Sequence, residues 1–323
     1  MENTTTTTPL KQPIVFVLEG FHTPPGFGSF LFFLAFFNYM VVLLGNGVVV
    51  CIICVDKNLH RPMFVMISHL AVCDLLGATA VLPRLMMHFL TGERRIAYIP
   101  AIAQAVSVHT YGLAAQTLLA AMAYDRYVAV CEPLRYHTIM TSARLHASCA
   151  LAWFVAVLCI AVLFALHMNT QLCGNIIQHV YCSNRAILRL ACRSTQTNNI
   201  YGLSMFWSVS TGIFVIIAFS YFRILQASIK HGRDDSSVRS KAFQTCTSHL
   251  VVYVLYEIAS VIIIVSQRFA SVSQDLKKFF SILFIIVPPA VNPIIYGLVS
   301  KELRGSIIKH FVTQRSHKTR LSG

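Results

Sequence analysis

Apolar residues gather in long runs along this chain, separated by short polar segments. Seven runs stand out: Phe27–Val55, Met63–Leu90, Ile99–Cys131, Leu145–His167, Ile200–Ile229, Ala242–Ser266 and Phe279–Val299. Each reaches the roughly 20 residues that an α-helix needs to cross a bilayer. The apolar-out, polar-in alternation of a membrane β-barrel is absent. A buried helix of a large soluble protein reads similarly on its own, but seven in succession point to the membrane. The predicted fold is an all-α membrane protein, a bundle of seven transmembrane helices.

The connections are short. Asp56–Pro62, Glu132–Arg144 and Lys230–Lys241 join successive spans on one side, and Met168–Asn199 is the longest link on the other. Residues 1–26 form a polar, Thr-rich tail, 27–299 the transmembrane domain and 300–323 a second tail. In Lys301–Val312, Leu303, Ile307, Ile308 and Phe311 recur at helical spacing between basic residues. That suits a short amphipathic eighth helix lying on the inner membrane surface; a solvated charged tail is the plainer alternative. No internal repeat suggests an inverted-repeat transporter.

Composition agrees with the pattern. The chain is 56% apolar and only 12% charged, about half the charge of a soluble domain. The net charge of +14 could suggest nucleic acid, but its distribution follows a membrane instead. Lys57, Arg61, Arg135, Arg144, Lys230, Arg233, Arg239, Lys241 and the basic tail fall on one side. Loops richer in Lys and Arg stay cytoplasmic, so the N-terminus is expected outside and the C-terminus inside. No cleavable signal peptide is evident, so the first span is expected to act as the insertion signal. Asn3-Thr4-Thr5 on the outer tail is an N-glycosylation sequon.

Some polar groups interrupt the apolar runs. Asn46, after Gly45, can hydrogen-bond across a helix interface. Asp74 lies deep in span two, where an ionisable group is by default a functional candidate. Met122–Cys131 sets an acid, an arginine and two tyrosines at the inner end of span three. Span seven ends in Pro288-Pro289-Ala290-Val291-Asn292-Pro293-Ile294-Ile295-Tyr296. Prolines there free carbonyls and bend the helix.

In order and spacing, these motifs resemble the odorant receptor family of rhodopsin-like (class A) G-protein-coupled receptors. The resemblance rests on Gly45-Asn46, LHRPM at 59–63, MAYDRYVAVCEPLRY at 122–136, Ser220-Tyr221, KAFQTCTSHL at 241–250 and PPAVNPIIY at 288–296. It implies capture of a small-molecule odorant from outside and activation of a stimulatory, olfactory-type heterotrimeric G protein inside, raising cyclic AMP. It also implies a multi-pass protein among plasma-membrane lipids, in the cilia of olfactory sensory neurons. No catalytic role, metal, cofactor or nucleic-acid partner is expected. By motif position, Asp125, Arg126 and Tyr127 form the switch, with Arg126 restrained at rest and released on activation. Tyr221, His249, Asn292, Pro293 and Tyr296 match positions that repack. The plainer reading is that these polar groups merely seat helix ends at the interface.

Ligand contacts must be sought on helix faces, where residues three or four apart align. Span three offers His109, Gly112, Leu113 and Gln116. Span five offers Tyr201, Ser204, Ser208 and Thr211, and span six Tyr253, Tyr256, Glu257 and Ser260. Interhelical hydrogen bonding without a ligand is the alternative for each. Glu257 stands roughly 24 Å into span six from Lys241 at 1.5 Å per residue. It is either a counter-charge for a cationic or strongly hydrogen-bonding ligand or a neutral acid bonded to span three or seven.

Two departures from the family concern the outer half. The long loop holds Cys173, Cys182 and Cys192, but the family cysteine three residues before Gln104 is here Ala101. Spacing alone does not fix connectivity; the resemblance leaves Cys173–Cys192 as the bridge and Cys182 unpaired. The other seven cysteines fall in spans and read as packing residues. Relatives often carry an acid in span three at the place of Ala115, so an ion site at Asp74 would rely on Asn292 and Gln116. A rhodopsin-like receptor for an endogenous small molecule in another tissue is the competing function. Light sensing is disfavoured, because Lys277 and Lys278 lie at the outer end of span seven. A membrane hydrolase is disfavoured by the lack of an HExxH pair.

Overall fold

A computed structural model describes residues 14–21, 24, 26–168, 170–231, 236–269 and 271–310, without the side chains of 228–246, 248, 249, 298 and 299. Asn3, the His249 side chain and residues 311–323 lie outside the described residues. Seven long helices form the bundle: α1 Phe27–Val55, α2 Pro62–Thr91, α3 Tyr98–Cys131, α4 Ser142–Met168, α5 Gln196–His231, α6 Ser236–Ser266 and α7 Gln274–Val299. A further helical stretch covers 301–310. Most helices outrun their apolar cores, because polar residues extend them into the interfaces. Pro62 opens α2, where its missing N–H costs nothing. The Ser273 hydroxyl caps α7 by accepting the Leu276 amide at 3.3 Å.

Lipid explains the outward faces. Phe33 and Phe37 of α1 are 65% and 70% exposed, which suits a hydrocarbon surround rather than water. α3 is the converse. It packs against α2, α4, α5 and α6, and that central position lets it carry Gln104, His109, Gln116 and Asp125 on faces covered by its neighbours. At Gly77 of α2, an added Cβ would sit 2.5 Å from the Tyr111 ring of α3, so the glycine sets how closely the two helices approach.

The outer end holds a small sheet that hydropathy does not reveal. Val15–Leu18 (β1) pairs antiparallel with Arg95–Ala97 (β2) and parallel with Ile176–Ile177 (β3). The supposedly polar tail thus contains a strand whose Phe16 and Leu18 are buried. Just beyond it, Glu19 reaches Lys278 of α7 at 3.1 Å. Lys278 is fully buried, and Asp275 joins the pair at 3.4 Å. A buried ammonium requires such partners.

Candidate functional site

At the inner end of α3, Arg126 folds back along its own helix. Its Nη2 and Nε donate to one Asp125 oxygen at 2.7 and 3.1 Å. The other Asp125 oxygen accepts the Tyr136 hydroxyl at 2.8 Å. Asp125 is buried, so two donors from either side satisfy a carboxylate that would otherwise be costly. Tyr136 belongs to the short helix Tyr136–Ile139 that follows α3 and was not among the expected switch residues. Tyr127 packs 6.0 Å, ring to ring, from Phe219 of α5. Tyr296 is buried and Tyr221 partly buried.

Midway through the bundle, Asp74 of α2 is fully buried. The Tyr256 hydroxyl donates to its Oδ1 at 2.6 Å and Asn292 Nδ2 to its Oδ2 at 2.8 Å. Asn292 also reaches Tyr256 at 3.2 Å, and the Tyr111 hydroxyl lies 3.3 Å from that of Tyr256. Four helices therefore meet at one carboxylate. Tyr256 and Asn292 thus each hydrogen-bond one oxygen of the carboxylate that the sequence offers, with Asn292, as a candidate ion site. Tyr256, expected in the ligand pocket, is a member of this network instead.

α7 is bound to α1 by a related device. Pro293 has no N–H, so the Pro289 carbonyl one turn earlier lacks its helical donor. Asn46 Nδ2 supplies one from α1 at 2.9 Å, and also donates to Val42 O at 3.0 Å. Gly45 makes the approach possible: a Cβ there would meet the Pro293 ring at 3.1 Å.

Above the Asp74 network, a cavity of about 350 Å³ opens toward the outer side. His109, Gly112, Leu113, Gln116 and Ser260 line it. Its apolar wall includes Val108, Ile160, Leu163, Phe206 and Phe284. The polar stripe expected on α5 is turned away. Ser204, Ser208 and Thr211 are exposed on the lipid side, and the Tyr201 hydroxyl donates to Cys159 O of α4 at 3.2 Å. Periodicity finds a stripe but not its direction; the cavity face of α5 carries Asn198, Asn199, Gly202, Met205 and Phe206. Tyr253 is buried outside the cavity wall. Glu257 also lies outside it, where Gln116 Nε2 donates to its Oε2 at 3.0 Å and the Ser210 hydroxyl reaches its Oε1. The acid is bonded to α3 as one reading expected, and to α5 rather than α7.

The long outer loop roofs the cavity. Cys173 and Cys192 are disulfide-bonded, while Cys182 is a buried free thiol. Burial pushes that thiol up to about 12. The Cys182 amide donates to Gln104 Oε1 at 2.8 Å, which docks the loop on α3 at a residue about one helical turn from Ala101. A loop helix, Asn184–Leu188, covers the mouth, and its Asn184 amide donates to His109 Nε2 at 3.2 Å. His179 is buried against Tyr181 and Ser281. Burial first, then the positive charges of Lys278 and Arg189, bring its pKa down to about 4. Sequence reasoning missed these loop residues because nothing in their spacing shows that the loop folds back over the bundle.

A model of the family described as "Olfactory receptor" matches residues 35–314. This chain belongs to the olfactory receptor family. Olfactory receptor 2A7 of Mus musculus is 33% identical over 302 residues, covering 93% of this chain and 96% of the relative. Olfactory receptor 52K1 of Homo sapiens is 35% identical over 307 residues, with 93% and 96% covered. Among solved structures, squid rhodopsin superposes with a TM-score of 0.74 at 16% identity, covering 91% of this chain and 87% of that one. The olfactory receptor fold is thus that of a rhodopsin-like, G-protein-coupled membrane receptor, and the chain is a multi-pass signalling receptor rather than an enzyme.

Proposed function

We propose that this olfactory receptor takes its odorant into the outer cavity and activates a stimulatory heterotrimeric G protein, raising cyclic AMP. The observation that carries the reading is the layout of α3. Its outer half lines the cavity with His109, Gly112, Leu113 and Gln116, and its inner end holds the Asp125–Arg126 pair at 2.7 Å. From Gln116 to Arg126 is only about 15 Å of helix at 1.5 Å per residue. The Asp74 network, joined to α3 through Tyr111, ties that helix to α2, α6 and α7. A ligand that shifts α6 against α3 acts on contacts that reach the inner face. Arg126 released from Asp125 is then the group that engages the G protein.

Resting contacts at Asp125 from Arg126 and Tyr136 restrain that release. Asn3 on the outer tail is the proposed glycosylation site, and the ciliary membrane of olfactory neurons the proposed location. The test is a cyclic-AMP reporter in cells that express the receptor at their surface, screened with amines, acids, alcohols and aldehydes. Arg126→Ala is expected to abolish every response while surface expression persists. Full signalling in that variant refutes the switch.

A further inference from the structure

The mouth of the cavity carries an uncompensated set of positive charges. Arg185 of the loop helix, Arg189 just beyond it and Arg268 just beyond α6 all line it, and the lining contains no Asp or Glu. Among the described residues no ion pair joins any of the three to a carboxylate. Instead one neutral oxygen serves two of them. Asn199 Oδ1, in the first turns of α5, accepts Arg268 Nη1 at 2.7 Å and Arg185 Nη1 at 3.4 Å. Arg185 Nη2 takes the Gln267 carbonyl at 3.0 Å, and its Nε is buried without a hydrogen-bond partner. Lys278, at the same end of the bundle, makes the contrast clear, because there Glu19 and Asp275 supply counter-charges. Like charges held together in a partly desolvated mouth repel one another, and burial with the nearby Arg268 and Arg189 brings the Arg185 pKa down to about 10.

We propose that this cavity takes a small organic anion, with its acidic head among Arg185, Arg189 and Arg268 and an apolar tail toward Leu113, Ile160 and Phe284. The proposal rests on the cavity being the odorant site, and names the ligand's chemical class. Guanidinium groups bind carboxylate oxygens through charge-assisted, often paired hydrogen bonds. The apolar wall below suits an aliphatic or aromatic tail. Because the three arginines and Asn199 come from the loop helix, the outer end of α6 and the start of α5, one anion converts a repulsive junction into an attractive one. It draws these elements together above the Asp74 network.

The test compares hexanoate, hexanol and hexylamine on the full-length receptor. Thermal stability of the purified protein in zwitterionic nanodiscs reads binding, and cyclic AMP in cells reads signalling. Hexanoate is expected to raise the melting temperature and evoke cyclic AMP, with the alcohol and amine well behind. Arg268→Gln and Arg185→Gln should each raise the hexanoate concentration for half-maximal stabilisation about tenfold or more, the effect of losing a charged hydrogen bond. Arg268→Lys, which keeps the charge, should lie between, and so separates charge loss from misfolding. Stabilisation by hexanoate without cyclic AMP supports the anion site and refutes the signalling reading. The proposal is overturned if the amine or alcohol equals the acid, if no probe stabilises the receptor, or if both glutamine variants respond like the parent.

Discussion

Asn46 gives the sharpest test of how the bundle is held together. Asn46→Ala removes the donor that satisfies the Pro289 carbonyl. The Val42 carbonyl keeps its helical amide partner, so that loss matters little. Pro289 has no substitute, because residue 293 is a proline. An orphaned buried acceptor costs about 1–3 kcal/mol in general, and interhelical hydrogen bonds in membranes average about 0.6 with a maximum near 1.7. The expected loss is therefore about 1–2 kcal/mol. A double-mutant cycle isolates the cause. Pro293→Ala restores an N–H at residue 293 that can fill the Pro289 carbonyl, so Asn46→Ala should then cost less by about 1 kcal/mol. The cavity left by truncating Asn46 is common to both arms and cancels. Reversible unfolding of the four proteins in bicelles, measured by steric trapping, gives the numbers. Equal losses in both backgrounds would refute the assignment of Asn46 to the proline-freed carbonyl.

Further outcomes follow from the same contacts. Ala101→Cys should form a disulfide with Cys182 and stabilise the loop by about 2–4 kcal/mol; non-reduced peptide mapping that finds both thiols free refutes the proposed proximity. Gly77→Ala drives a methyl into the Tyr111 ring and should sharply lower surface expression, with Tyr111→Ala restoring part of it; normal expression of the single variant contradicts the packing. His179, held near 4 against an ordinary 6.5, takes up its proton in the unfolded chain before the folded one. Stability should therefore fall as pH drops from about 6.5 toward 4, by on the order of 3 kcal/mol from this group. His179→Gln should flatten that window in thermal scans, and an unchanged profile excludes the histidine as its source. Glu257→Gln keeps an acceptor for Gln116 and removes the acid; an unchanged agonist response rules out a counter-charge role.

The helices were legible because crossing a bilayer demands long apolar runs, and Phe27–Val55 is the same in pattern and structure. The acid–arginine pair at the inner end of α3 was legible too, since Asp125 and Arg126 are contiguous. What the sequence hid depends on contacts between distant segments. β1 has four residues, too few for alternation to stand out, and its partners lie in two separate outer loops. The serine stripe of α5 had the right spacing but faces lipid, because spacing carries no information about which way a helix is rotated. Tyr136 and Asn199 became interpretable only once the chain brought them to Asp125 and to the two arginines. Arg185, Arg189 and Arg268 stand far apart in the sequence, in two outer loops, and only the fold shows them converging on one mouth.

The central claim is that occupation of the outer cavity is read out at Arg126. Nucleotide exchange on a purified stimulatory G protein, driven by the purified receptor in nanodiscs, measures this without a cell. Hexanoate should accelerate exchange on the parent receptor, and Arg126→Ala should bind hexanoate with unchanged thermal stabilisation yet leave exchange at the ligand-free rate. Hexanoate-driven exchange that survives Arg126→Ala would contradict the claim.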